Sequence, residues 1–245
     1  RVVALGAAQQ AAIMSGSTTG ALLLDVIPLS LGIETIGGAV AKLIVRNSTV
    51  PARATEMFST SVDGQANISL NVLQGERELA ADCRSLATFV LRGIPPMPAG
   101  IPQLEVEFLV DANGVLHVSA VEKRSGTAAS IQVVPNHGLT EQEVDQIERD
   151  ALTHAREDMT RHRVVDLIVN AKLDLKWIGE RLDAVRDDLT ADEASKIDTL
   201  TAQVREYIEH AEGDWSSVDA NAFHAAKQAL DEASIPMLEM SFARS

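Results

Sequence analysis

Six histidines, one cysteine and 35 acidic side chains are the raw material for any reactive centre in this chain. His117, His137, His154, His162, His210 and His224 are scattered, with no His-x-x-x-His pair of the kind that places two imidazoles on one helix face. They read as surface or turn histidines. Cys83 is the only cysteine, which excludes an intramolecular disulfide and a multi-thiolate metal site. Arg84 beside it would favour the thiolate, yet a plain non-catalytic thiol is the simpler reading. Glu105 and Glu107 stand two apart, a spacing shared by paired acid–base carboxylates and by the solvated face of a strand; the solvated face is preferred. No G-x-S-x-G elbow, G-x-x-x-x-G-K loop or G-x-G-x-x-G turn occurs. Gly37-Gly38 lacks the following lysine or helix signature and reads as a turn. These residues form no catalytic constellation, so the expectation is a non-catalytic surface.

The elements that would carry such a surface fall into three regions. Residues 1–20 are Ala-rich, end at Ser15-Gly16-Ser17 and read as one helix with a glycine stop. From residue 21 to 137 the pattern is β. Ile68, Leu70 and Val72 alternate with Asn67, Ser69 and Asn71, Leu104, Val106 and Phe108 with Glu105 and Glu107, and Leu116, Val118 and Ala120 with His117 and Ser119. Ile131 and Val133 flank Gln132 in the same way. A period of two buries one face of a strand and wets the other. Asp111-Ala112-Asn113-Gly114 supplies hairpin chemistry, because Asn and Gly tolerate positive φ. Short strands between turns predict an antiparallel sandwich.

The period changes at Gly138. Thr140-Glu141-Gln142-Glu143 is a capping box, followed by a long helical stripe through Val144, Ile147, Ala151, Leu167, Ala171, Ile178 and Val185. Thr190-Ala191-Asp192-Glu193 is a second box, opening a helix that Gly213 stops. A third helix is predicted from about 219 to 234, ending before Pro236. Three amphipathic helices with short loops make a small bundle. The predicted fold class is therefore α+β in two segregated parts, a β-sandwich and then helices.

Charge narrows the partners. The chain carries a net −14. Residues 25–137 hold 11 acids and 8 bases, whereas 138–245 hold 24 acids and 12 bases. Nucleic-acid phosphates need clustered Lys and Arg, so no nucleic-acid partner is expected. No apolar run is long enough to span a bilayer, so no membrane partner is expected either. The lone cysteine fits a reducing cytoplasm, the expected location.

Several strings carry a closer resemblance. Leu22-Leu23-Leu24-Asp25-Val26 with Pro28-Leu29-Ser30-Leu31-Gly32-Ile33-Glu34-Thr35, then Val72-Leu73-Gln74-Gly75-Glu76-Arg77 and Leu116-His117-Val118-Ser119-Ala120, resemble in order and spacing the DnaK-type heat-shock chaperones. Glu76-Arg77-Glu78-Leu79, Asp82-Cys83-Arg84-Ser85-Leu86 and Leu91-Arg92-Gly93-Ile94-Pro95 look closer to the HscA-like branch. The resemblance implies that residues 1–20 close an upstream ATPase domain holding ATP and magnesium. It implies an interdomain linker at 21–26 (Leu22, Leu23, Leu24 and Asp25), a peptide-binding β-sandwich at 27–138 and a helical lid at 139–245. This stretch would then hold no cofactor and would not hydrolyse ATP alone.

The resemblance also implies sites. Ile33, Phe58, Ile68, Leu70, Leu104 and Val106 would line a pocket for one aliphatic side chain of an extended client. Thr35 lies beside it, and Ile36 and Ser61 would arch over the peptide. Periodicity alone favours ordinary sandwich core at these positions. Arg77 with Asp158, and Asp63 with Lys176, would latch the lid. The family's other latch places an Arg where this chain has Ala99 and an acid where it has Lys172, so that latch cannot form. Implied partners are a client with a Leu/Pro-rich segment, a J-domain co-chaperone and an iron–sulfur scaffold protein. Two alternatives stand beside this: a non-catalytic structural or adhesive sandwich, and a hydrolase built on Glu105 and Glu107.

Overall fold

A computed structural model describes residues 26–135 and 139–243. The helix expected at 1–20, the linker residues Leu22 to Asp25, and His137 and Gly138 lie outside the described residues. The strands are β1 (Leu31–Glu34), β2 (Val40–Ile44), β3 (Ala52–Phe58), β4 (Asn67–Gln74), β5 (Arg84–Arg92), β6 (Leu104–Val110), β7 (Leu116–Glu122) and β8 (Ala128–Val133). They form two four-stranded sheets, ordered β2-β1-β4-β5 and β3-β6-β7-β8. The pairs β1–β4, β4–β5, β3–β6, β6–β7 and β7–β8 are all antiparallel. Three helices follow: α1 (Glu141–Val185), α2 (Ala191–Gly213) and α3 (Ala220–Ala243).

The alternation read from the sequence becomes the inner face of the sandwich. On β6 Leu104, Val106, Phe108 and Val110 are buried, and on β7 so are Leu116, Val118 and Ala120. The β6–β7 hairpin turns as its residues dictate. Asp111 Oδ1 accepts the Asn113 and Val115 N–H groups at 2.8 and 3.0 Å, and Gly114 takes a φ of 77°. On β4 the alternation fails at its end, where Val72, Leu73 and Gln74 are all buried. The register shifts between Val72 and Leu73, leaving Leu86 of β5 unpaired.

Two compact units result. Among the described residues, one comprises 26–33, 42–76, 84–135 and 139–146; the other comprises 34–41, 77–83 and 147–243. Two short segments that interrupt the strands thus belong with the helices.

Within the second unit, the helices share an apolar core centred on Val164, Ala171, Ile197, Val204, Phe223, Leu230 and Met237. Tyr207 stacks on Phe223 with ring centroids 5.3 Å apart. Both capping boxes form: Thr140 N–H donates to Glu143 at 2.8 Å and Thr190 N–H to Glu193 at 2.9 Å, each acid's own N–H donating back to the threonine hydroxyl. The predicted stop before Pro236 is wrong. Helix α3 continues through Pro236 to Ala243. Proline removes one helical N–H, but Met237 beyond it is fully buried and Leu238 and Met240 pack on the core, which outweighs the lost bond.

Phe223 has no exposure and its ring anchors α3 on α2. Phe223→Ala should destabilise the helical unit by about 3–5 kcal/mol. Thermal melts of the helical circular dichroism signal should show a lower Tm; an unchanged Tm would mean that the three helices do not depend on this core.

Candidate client-binding surface and helix fastening

The apolar candidates in the sandwich unit fall into two groups, one on each sheet. Ile33 is 1% exposed and stands opposite Val72 on β4, the strand that carries Ile68 and Leu70. On the other sheet, Phe58 at the end of β3 stands opposite Leu104 at the start of β6, with Val106 two residues along. Ile68, Leu70, Leu104 and Val106 are buried and Phe58 is half-buried. Residues 59–66 connect β3 to β4 and so cross from one sheet to the other. Ser61 in that crossing is exposed, and beside it Val62 is 61% exposed.

The 59–66 crossing is strapped by residues 97–102. Gly64 N–H donates to the Met97 carbonyl at 2.8 Å and Gly100 N–H to the Thr60 carbonyl at 2.9 Å. Ser59 Oγ donates to the Pro102 carbonyl at 2.7 Å, and Ala99 N–H donates to Asp63 Oδ1 at 2.8 Å. Sequence reasoning missed this strap, because a backbone N–H has no residue signature. Ala99, where the family's latch Arg is lacking, is buried and takes part through its main chain.

In the second unit, the segment Glu34–Ala41 is a tight turn. Thr35 N–H donates to the Ala39 carbonyl at 2.8 Å, and Gly38 N–H to the Thr35 carbonyl at 3.1 Å. Gly37 and Gly38 have φ of 86° and 81°, so the sequence reading of a glycine turn holds. Ile36 at its tip is 44% exposed. Gly37 also needs its missing side chain: a Cβ there would fall 2.5 Å from Val165 Cγ1 and 3.2 Å from Val169 Cγ2 on α1. The turn therefore meets the helix through glycine.

The other segment, Arg77–Cys83, meets α1 through charge. Arg77 Nε donates to Asp158 Oδ2 at 2.5 Å and its Nη2 to Oδ1 at 2.8 Å, a bidentate pair. Asp158 is 3% exposed, not a surface-helix residue. Hydrogen bonds from Arg77, helped by the Glu78 N–H, hold its carboxyl below the usual carboxylate range against the desolvation that would raise it. The guanidinium is raised in turn, mainly by its bonds to Asp158.

One helical turn on, His162 Nδ1 stands 2.9 Å from Glu78 Oε2 and Nε2 3.6 Å from Asp166. His162 is thus half-buried against another segment rather than a plain surface histidine. Its spacing of four from Asp158 was the available signal. Cys83 Sγ lies 3.5 Å from the Arg77 carbonyl as a donor.

Lys176 lies half-buried on α1, and Asp63 lies in the sandwich unit, on the 59–66 crossing. Lys172 is bonded to Glu212 at 2.5 Å. Glu105 and Glu107 are each engaged by a base, Lys123 at 2.8 Å and Arg53 respectively. They are the polar face of β6, not an acid–base pair. Among the described residues no cluster of three or more His, Cys, Asp or Glu could hold a metal, and no helix is long and apolar enough to cross a membrane.

A sandwich of two antiparallel four-stranded sheets, followed by three helices of which the first is bound to two inter-strand segments, defines a class. The Hsp70 protein family model matches residues 1–243, and the chain belongs to that family. Within it, the chain is similar to a chaperone protein HscA homolog of Shewanella sp. (strain ANA-3), 47% identical over 95% of this chain and 37% of the relative. HscA homologs of Shewanella loihica and Shewanella oneidensis are each 46% identical, over 96% and 95% of this chain and again 37% of the relative. The chain is thus of the DnaK-type, HscA-like kind and spans 37% of the length of these relatives.

Removing Arg77 strands a buried carboxylate. Arg77→Ala should loosen α1 from residues 77–83 by the lower end of about 3–5 kcal/mol, since Arg77 keeps some exposure. Amide hydrogen exchange at 77–83 and 154–166 should quicken; unchanged protection would discount the pair. Asp158 has a depressed folded value, so its contribution is complete above the ordinary Asp value of about 3.9 and is lost as pH falls through the lower folded value. The fastening should persist at pH 5 to 8 and fail only in stronger acid, where the same exchange measurement reads it.

Proposed function

We propose that this chain is the client-binding region of an Hsp70-type chaperone, clamping an extended apolar polypeptide segment. The observation that carries the reading is the bidentate Arg77–Asp158 pair, which joins α1 to a segment leaving the strands through a directional polar contact. A polar fastening of this kind suits a helix that must close over a guest and release it. Ile33, Phe58, Ile68, Leu70, Leu104 and Val106 are the proposed apolar lining for an aliphatic guest side chain, with Thr35, Ile36 and Ser61 at the guest's main chain. The exposure of Ile36 and Ser61 supports this, since an arch must offer unburied surface. Asp63 and Lys176 are proposed as a further latch.

The energetics are those of reversible binding. Seating one client leucine contributes about 1.5–3 kcal/mol. Each sequence-tolerant main-chain hydrogen bond adds about 1 kcal/mol. Ordering the guest offsets part of this, leaving micromolar affinity, near −8 kcal/mol. ATP and magnesium would act in an ATPase domain within the rest of the relatives' length, coupled through Leu22, Leu23, Leu24 and Asp25. A J-domain co-chaperone would set the cycle. The HscA-like character supports an iron–sulfur scaffold protein as the client, presenting a Leu/Pro-rich segment.

Fluorescence anisotropy of a labelled Leu/Pro-rich peptide tests the reading. Saturable micromolar binding is expected, and Ile68→Phe, which fills the lining, should weaken it at least about tenfold. Equal affinity in the folded variant would sink the assignment of the pocket. Asp63→Ala should speed peptide release by freeing the 59–66 crossing from Ala99 N–H. Asp63→Asn keeps an acceptor oxygen there and should restore slow release if the strap is what matters; if it releases as fast as Asp63→Ala, the charge is what matters and the Lys176 latch is favoured.

A further inference from the structure

The helical unit contains a cleft that the client-binding reading does not use. It has a volume of about 290 Å³ and is bounded by Val165, Ile168 and Val169 of α1, Ala211 and Glu212 of α2, Trp215 of the following turn, Arg161 and Gly37. That volume sits at the lower edge of pockets that take small molecules, about 300 Å³. Its body is aliphatic and aromatic. Ala211 is 4% exposed, and Ile168 and Trp215 pack against the helical core.

The charges at its rim are unequal. Glu212 is answered by Lys172 at 2.5 Å. Arg161 is half-buried, with its guanidinium carbon 5.9 Å from the centre of the Trp215 ring. Among the described residues no carboxylate forms an ion pair with it. Arg149, Arg156, Arg163, Lys196 and Arg205 on the helices are exposed, and the half-buried Arg181 lies over Trp177, 4.4 Å from its ring centre, outside this cleft. A region with 24 acids and 12 bases has acids to spare, yet leaves this partly desolvated arginine without one. A guanidinium held against an indole face keeps its N–H fork available for a planar anion.

We propose that this cleft binds a small apolar monocarboxylate, with its branched or ring body against Val165, Ile168, Val169 and Trp215 and its carboxylate on the Arg161 fork. Burying the apolar body supplies affinity, and the bidentate contact selects the acid over a neutral analogue. The site is separate from the apolar lining of the sandwich and does not rest on client binding.

The chain has two tryptophans, Trp177 and Trp215, so Trp177→Phe leaves Trp215 as the sole reporter. Its emission is titrated with 4-methylpentanoate, with 4-methylpentanamide as the neutral analogue. The expected result is a saturable change with Kd at or below about 1 mM, at least about tenfold weaker for the amide. Arg161→Gln should abolish the preference for the acid, and Arg161→Lys should keep part of it. Val169→Phe should block binding by filling the cleft while leaving Arg161 in place. Circular dichroism checks that each variant is folded, and if Arg161→Gln is not, Arg161→Lys and Val169→Phe decide. The proposal is overturned if no saturable change appears, if amide and acid bind alike, or if folded Val169→Phe binds as well as its parent.

Discussion

A carboxylate that is 3% exposed cannot remain ionised without compensation, and Asp158 obtains it from Arg77. Much else in the second unit follows from that requirement. The guanidinium fork fixes the orientation of Arg77, and Arg77 fixes residues 77–83 on α1. The backbone N–H of Glu78 then also reaches Asp158, and its side chain meets His162. The neighbouring Gly37 turn settles over Val165 and Val169, one and two helical turns further along the same face. The face of α1 marked by residues 158, 162, 165 and 169 is a continuous stripe at helical spacing, polar at one end and apolar at the other.

The sandwich rests on a different constraint. Its lining is hydrophobic without being rich in aromatics, which are 3% of the chain. Core volume must come from Leu, Ile and Val, whose branched side chains pack well on a pleated surface. A lining of this kind is chemically indistinguishable from ordinary core: Ile68 and Leu70 share one face of β4 with Val72, and nothing in their burial separates a pocket wall from an interior. What differs is their position beside the 59–66 crossing, where one sheet passes to the other and main chain must be held by hydrogen bonds from 97–102 rather than by a ladder.

The fold was legible where periodicity was long and its punctuation local. The strands β6 and β7, their Asp111–Gly114 turn and the two capping boxes are each encoded within a few residues of themselves. Pro236 misled because a local rule against proline in helices was outweighed by burial of Met237, a tertiary effect. The irregularity at Leu86 of β5, opposite Val72 and Leu73, escaped for a similar reason, since it exists only in the pairing with β4. Of the site residues, Arg77 and Asp158 are 81 positions apart, and no pattern in the residues alone couples them. The family resemblance named them together; geometry supplies the bidentate contact and its depth. Glu78 with His162, and Ala99 N–H with Asp63, had no such guide.

The two kinds of contact in the helical unit differ in how they yield. The three-helix core is mainly apolar, from Val164 to Met237, and opening it would expose apolar area worth about 25 cal/mol per Å². The contact of α1 with residues 34–41 and 77–83 includes a glycine against two valines, a bidentate ion pair and an imidazole–carboxylate contact. An ion pair of this kind contributes strong orientation but little net stability compared with an apolar replacement, because both charges regain water on separation. The fastening of α1 to residues 77–83 is thus directional and polar, whereas the helices are joined mainly by apolar burial.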